Sequence, residues 1–256
     1  MLGMLENLGR GGVLVGLHPR RATQCLAAIV CTHSTALPTS LTMRQLTFYL
    51  DFISPYAYLA FHALPKTLQG LNCQVSYQPI LFGAVLAHHG QLGPAEIEGK
   101  REWTYRHALW LAHQQGCPMR MPASHPFNPL PMLRLATACD ALGLPNREVC
   151  EQLFQHVWSD SLEASDPQRL ADLQARLAPV RDSQSDEVKT QLRQSTQSAI
   201  NKGVFGVPTI LVDEKLFWGQ DALPMLRAYL QGEAWFAGPA WQVCSVLPKS
   251  VERKRR

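Results

Sequence analysis

Two short segments, Ser54-Pro55-Tyr56-Ala57 and Gly206-Val207-Pro208-Thr209, carry residue types that could do chemistry together although they lie far apart in the chain. Serine followed by proline is a standard way to start a helix, with serine as the cap and proline at the first helical position. The first amides of a helix have no partner inside it, and the helix dipole adds partial positive charge, so this position favours an anion such as a thiolate. A redox protein would place its own cysteine here and a second one three residues later. This chain has Ser54 and Ala57 instead, so disulfide exchange lacks both the attacking and the resolving thiol. A serine hydroxyl can instead donate a hydrogen bond to a thiolate brought by a ligand, holding it ionised near neutral pH. Taken alone, Ser54-Pro55 also fits an ordinary helix cap.

The second segment places Pro208 directly before a strand. Cis peptide bonds essentially require proline and tend to sit in tight turns with a role, so a cis bond at Val207-Pro208 is one expectation and an unremarkable trans bond the other. In the cis form the backbone N–H and C=O of Val207 would be open to an extended ligand, as an added strand would be. A third run, Trp218-Gly219-Gln220-Asp221, opens the last helix. Asp221 there is either a partner for the helix dipole or, with the Gln220 backbone, a receiver for the charged amino-acid end of a ligand.

The elements that must position these residues follow from pattern. Residues 45–52 are rich in aromatic and β-favouring side chains and read as a strand, 56–68 as a helix, and 73–81 as a second strand after the Gln69-Gly70 stop. A β-α-β opening implies a parallel pair. Helical patterns then occupy 98–115, 130–142, 146–158, 167–177 and 186–202, with breakers between them. Strand character returns at 209–212 and 216–218, joined by a turn, with a helix over 221–231. The class is therefore α/β, a thioredoxin-like fold with a large all-helical insertion. Residues 43–84 and 203–235 form the thioredoxin-like domain, 85–202 the helical insertion as its own lobe, and 236–256 a basic C-terminal tail.

Composition fits a compact protein: 46% of the 256 residues are hydrophobic and 17% charged, which leaves little room for extensive disorder. The net charge of +4 comes largely from the two ends, and no basic stripe with interleaved aromatics is visible, so nucleic acid is not an expected partner. Seven cysteines without regular spacing and without a CxxC pair argue for reduced, scattered thiols in the cytoplasm. His88, His89, His107, His113 and His125 lack carboxylates or cysteines at ligand spacing, so no metal site is expected. Residues 1–42 contain Arg10, Arg20 and Arg21 but a single acid, Glu6. They read as a transit-type leader or, as we favour, as sequence upstream of a start at Met43, poorly ordered or weakly packed. Their apolar stretches are too short to span a bilayer, and no membrane association is expected.

Three runs carry a family resemblance: 48–56 (Phe-Tyr-Leu-Asp-Phe-Ile-Ser-Pro-Tyr), 202–209 (Lys-Gly-Val-Phe-Gly-Val-Pro-Thr) and 217–221 (Phe-Trp-Gly-Gln-Asp). In this order and spacing the chain resembles the 2-hydroxychromene-2-carboxylate isomerases, which are similar to kappa-class glutathione transferases and DsbA-type oxidoreductases. The resemblance implies glutathione as cofactor, with Ser54 activating its sulfur and Val207 beside Pro208 binding its cysteinyl backbone. It implies Gln220 and Asp221 for the γ-glutamyl group and Lys100 for the glycyl carboxylate. On the substrate side it points to Asn128, within His125-Pro126-Phe127-Asn128-Pro129, and to Tyr56. The implied activity is glutathione-dependent cis-trans isomerisation of an aromatic ring-cleavage product, a small molecule. A kappa-type transferase and a non-catalytic thiol-peptide binder of DsbA type are the alternatives, and a homodimer is an option that relatives often take. The chain departs from the family's usual pattern at 91–96 (Gln-Leu-Gly-Pro-Ala-Glu), where relatives often have an asparagine, and at His107, where they often have an acid.

Overall fold

The computed structural model describes residues 43–248, so the expectations for the leader and for the last part of the basic tail lie outside the described residues. The central strand is β1 (Arg44–Leu50), which alternates so that Leu46, Phe48 and Leu50 face one side and Tyr49 the other, all of them buried. A strand covered on both faces reads as a nearly unbroken apolar run, which is what residues 46–50 show. Strand β2 (Cys73–Pro79) pairs parallel to β1, with α1 (Pro55–Leu68) as the crossover a parallel pair needs. On the other side lie β3 (Thr209–Val212), antiparallel to β1, and β4 (Lys215–Trp218), antiparallel to β3, giving the order β2-β1-β3-β4. The mixed sheet and its split connectivity are those of the thioredoxin-like fold.

Between β2 and β3 run α2 (Phe82–His89), α3 (Lys100–Gln115), α4 (Leu130–Ala138), α5 (Arg147–Trp158), α6 (Pro167–Leu177) and α7 (Asp186–Asn201). The insertion shares its core with the sheet. Phe154 of α5 meets Phe52 and Phe61 at ring distances of 4.9 and 5.1 Å, and Trp158 stacks on Tyr58 at 6.4 Å. Burying each such side chain contributes about 1.5–3 kcal/mol, so the aromatic face of α5 is fixed on α1 and on the end of β1. A second cluster on the opposite sheet face joins Tyr49, Ile80, Val85, Ala199, Val204 and Val207. The chain closes with a 3-10 turn at Gln220–Ala222, α8 (Leu223–Leu230) and the short α9 (Pro239–Gln242), where Phe236 and Trp241 pack together near Tyr229.

Most expected elements appear within a few residues of their sequence positions. Helix α2 was not expected: it contains Gly83 and has no side-chain cap of its own at Leu81. A residue from elsewhere supplies the cap, since the Phe82 N–H donates to Asp51 Oδ2 at 2.9 Å. Helix α4 stops at Ala138 instead of continuing to 142. Asp140 Oδ1 accepts the N–H groups of Leu142 and Leu144 at 2.8 and 3.1 Å, and the Arg181 N–H and guanidinium take the carbonyls of Ala138 and Thr137. These bonds satisfy the helix end and turn the chain. Helix α3 begins at Lys100, after Gly99 at φ 75°. Among the described residues no helix is long and apolar enough to cross a membrane.

Candidate functional site

Ser54 caps α1 with φ −88° and ψ 116°, and its Oγ accepts the Ala57 N–H at 3.2 Å. The same hydroxyl donates to the Val207 carbonyl at 3.4 Å, a long contact that leaves it able to turn toward a better acceptor. The Val207-Pro208 bond is cis. Topology makes the meeting possible: β1 and β3 are neighbours, so the residue after β1 and the residues before β3 lie at the same end of the sheet. Ser54 and Val207 are both mostly buried, at 6% and 7% exposure, so an anion bound between them would be largely shielded from solvent.

The third run joins them. The Gly219 N–H donates to the Pro208 carbonyl at 2.9 Å, which ties the Gln220–Ala222 turn to the cis bond. Gly219 sits at φ 95°, and a Cβ there would collide with Asp221 Oδ1, so the carboxylate folds back over a position only glycine can hold. Asp221 is exposed and close enough to Tyr56 to help raise that phenol's pKa, after the larger effect of burial. Gln220 accepts a hydrogen bond from Gln115 Nε2 at 2.8 Å. Ser54, Tyr56, Val207, Pro208, Gln220 and Asp221 therefore form one neighbourhood. Lys100 and Asn128 are not joined to it by any hydrogen bond or ion pair among the described residues. Lys100 is exposed at the first position of α3, and Asn128 is exposed with its Oδ1 taken by the Leu130 N–H at 3.1 Å.

Four of the five cysteines among the described residues are poorly placed for chemistry. Burial pushes the thiols of Cys73, Cys117, Cys139 and Cys150 up, that of Cys139 to about 11, which keeps them protonated and unreactive. The start of α1 itself carries Ser54 and Ala57 and no sulfur.

Residues 45–231 match the model of the DSBA-like thioredoxin domain. The chain belongs to that family. Within it, the chain is 27% identical over 199 residues to a 2-hydroxychromene-2-carboxylate isomerase of Sphingobium xenophagum, covering 73% of this chain and 98% of the relative. It is 27% identical over 216 residues to glutathione S-transferase kappa 1 of Rattus norvegicus, covering 77% and 94%. A solved structure of a 2-hydroxychromene-2-carboxylate isomerase superposes with a TM-score of 0.62 at 23% identity, covering 80% of this chain and all of that one. That likeness shows the fold, with the helical insertion included. Among relatives of two enzyme types, a site with serine in place of the dithiol is a departure from disulfide chemistry that the geometry above makes intelligible.

Several residues around Ser54 gain their importance only from their neighbours in space. His107 is hydrogen-bonded to Tyr56 Oη at 2.9 Å and lies nearly parallel to Trp103 and Trp110, at interplanar angles of 6° and 13°. Helical spacing could have flagged this i, i+4, i+7 stripe, since two large aromatic rings on it are exposed. Asp51 is fully buried, and desolvation raises its carboxyl to about 7 against the pull of backbone N–H groups from Phe82, Ile53 and Phe52. An acid at the end of an apolar strand had to find donors, but the sequence does not say which. His125, which follows α3 and precedes a second cis bond to Pro126, reaches the Ile53 carbonyl.

Proposed function

We propose that this protein is a glutathione-dependent isomerase acting on an aromatic ring-cleavage product of the 2-hydroxychromene-2-carboxylate type. The observation that carries the reading is the Ser54 hydroxyl at the cap of α1, 3.4 Å from the Val207 carbonyl, in a site without a cysteine. The donor set suits a bound thiolate: the Tyr56 N–H at the start of α1, a dipole end and one hydroxyl free to turn, while Pro55 has no N–H and the Ala57 and Tyr58 N–H groups are held by Ser54. The sulfur of glutathione would supply the nucleophile that adds to a conjugated double bond, permits rotation and leaves again. Ser54 holds that sulfur ionised, Val207 pairs with the cysteinyl backbone, and Gln220 with Asp221 receives the γ-glutamyl end. Lys100 is assigned the glycyl carboxylate, while Tyr56 and Asn128 face the organic substrate. A cytoplasmic setting accompanies this reading, because the cysteines among the described residues are all free and glutathione is abundant where thiols stay reduced.

The likeness to kappa-class transferases favours a second reading in which the glutathionyl adduct is released. One experiment separates them. Wild-type protein is given glutathione and a 2-hydroxychromene-2-carboxylate while product and free thiol are followed together. Isomer formation with constant thiol supports the isomerase. Loss of thiol matched to an adduct supports the transferase, and absence of glutathione binding by calorimetry overturns both.

A further inference from the structure

The turn that presents Ser54 is held at almost every backbone group, and two of the holders come from the helical insertion. The Ile53 N–H donates to Asp51 Oδ1 at 3.1 Å, and the Ser54 N–H donates to the Asp51 carbonyl at 3.1 Å. From α5, Trp158 Nε1 donates to the Phe52 carbonyl at 3.0 Å. From the loop before α4, His125 Nε2 meets the Ile53 carbonyl at 2.8 Å. The consecutive carbonyls just before Ser54 are thus taken by residues 106 and 72 positions away.

The direction of each bond around His125 follows from what its partners can do. A carbonyl only accepts, so Nε2 carries a proton. Tyr105 Oη lies 2.7 Å from Nδ1, and Arg101 Nε, which only donates, lies 3.2 Å from Tyr105 Oη. Tyr105 therefore accepts from Arg101 and passes its own proton toward Nδ1. Tyr105 Oη also lies 3.0 Å from the His125 carbonyl, which already accepts Arg101 Nη2 at 2.7 Å; the shorter contact and the bare Nδ1 lone pair of a neutral ring protonated at Nε2 draw its single proton to Nδ1. Burial, with the Arg101 charge, lowers the His125 pKa and favours this neutral ring.

We propose that His125 and Trp158 are positioning residues: they fix the Phe52-Ile53-Ser54 backbone from the helical insertion, and so set the angle at which the Ser54 hydroxyl and the first amides of α1 meet a bound sulfur. Tyr105 and Arg101 hold His125 in the tautomer that can do this. The role of the sulfur rests on the function proposed above; the grip on the backbone does not. One physical consequence is that the insertion grips the Phe52-Ile53-Ser54 backbone directly through these two hydrogen bonds, in addition to its bonds to Tyr56 and Gln220 and the aromatic core it shares with the sheet. A thiolate is held by directional donors, so a small rotation of their frame weakens every bond to it at once.

The test uses Tyr105→Phe, which keeps the ring and removes only the hydroxyl, and Trp158→Phe, which removes the indole N–H but also shortens a fully buried ring, together with His125→Ala and His125→Gln. Each folded variant is loaded with glutathione, and the ultraviolet absorbance of the bound thiolate is titrated with pH. Turnover is measured in parallel. Trp158→Phe and Tyr105→Phe should raise the pKa of the bound thiol by about one unit and lower kcat about tenfold at neutral pH, with KM little changed. His125→Gln, whose amide can donate to the Ile53 carbonyl, should recover part of what His125→Ala loses. Unchanged thiol pKa and kcat in Trp158→Phe and Tyr105→Phe overturn the proposal, as does a glutamine variant no better than alanine when both fold. If wild-type protein shows no thiolate signal, the proposed function fails, and amide hydrogen exchange over residues 53–57 decides the grip alone. Exchange about tenfold faster in Trp158→Phe and Tyr105→Phe supports it; unchanged exchange overturns it.

Discussion

Replacing Ser54 by alanine removes an oxygen that caps α1 through the Ala57 N–H, touches the Val207 carbonyl and, in the function proposed, donates to the bound thiolate. The three losses differ in size. Losing a serine cap costs about 1 kcal/mol of stability. The contact to Val207 is long at 3.4 Å and contributes little. A hydrogen bond to a charged partner is worth about 1.5–3 kcal/mol, which at about 1.4 kcal/mol per unit corresponds to a rise of roughly 1–2 units in the pKa of the bound thiol. Since a free thiol titrates near about 8.5, a bound sulfur first lowered toward neutrality would return to largely protonated, and turnover at neutral pH would drop about 10- to 100-fold. The stability loss, by contrast, would lower Tm by only about 2–4 °C for a chain of this size. The assay pairs a pH titration of bound-thiolate absorbance with kcat and a thermal melt. A variant that melts slightly lower yet keeps the wild-type thiol pKa and rate refutes the assignment of Ser54.

Three further outcomes follow from the same geometry. Ser54→Cys places a thiol at the helix start, where amides and dipole favour its anion, so alkylation of that cysteine at neutral pH should outpace that of Cys117 and Cys150; equal rates, read by mass spectrometry, count against an anion-stabilising site. Gly219→Ala drives a Cβ into Asp221 Oδ1 at φ 95°. It should cost about 1–3 kcal/mol of stability and weaken glutathione binding in calorimetry. Asp51 is raised from 3.8 to about 7 in the folded protein, so the folded state binds more protons than the unfolded state between those values. Stability should therefore fall as pH rises through that window, by at most about 4 kcal/mol, and then level off. Urea unfolding of Asp51→Asn across the same range should lose most of that slope.

The fold was legible wherever a local rule governs it. The helical pattern over 167–177 was readable from neighbouring residues, and the Asp166-Pro167 step before it, a break between helices in the sequence, also starts α6, with the Asp166 side chain accepting the Arg169 N–H. The β-favouring run of β1 and the turn before β4 were readable because they too depend on neighbouring residues. Helix α2 was not, because its cap, Asp51, belongs to a different element. The end of α4 was missed because Arg181, far along the chain, closes it.

For the site, the residue types and their order came from the sequence alone: a serine cap without a dithiol, a valine-proline step before a strand, and an acid two residues after a glycine at the start of the last helix. Each of these is dictated by chemistry that acts within a few neighbouring residues, so each is visible in a short window of the chain. Tertiary structure decided what they touch. Ser54 and Val207 are 153 positions apart and meet because β1 and β3 pair, while Trp158 and His125 reach the same turn because aromatic packing seats α5 on α1. Hydrogen bonds are short and directional, and which distant groups come within about 3 Å of one another is set by the packing of whole elements, a quantity no window of sequence contains.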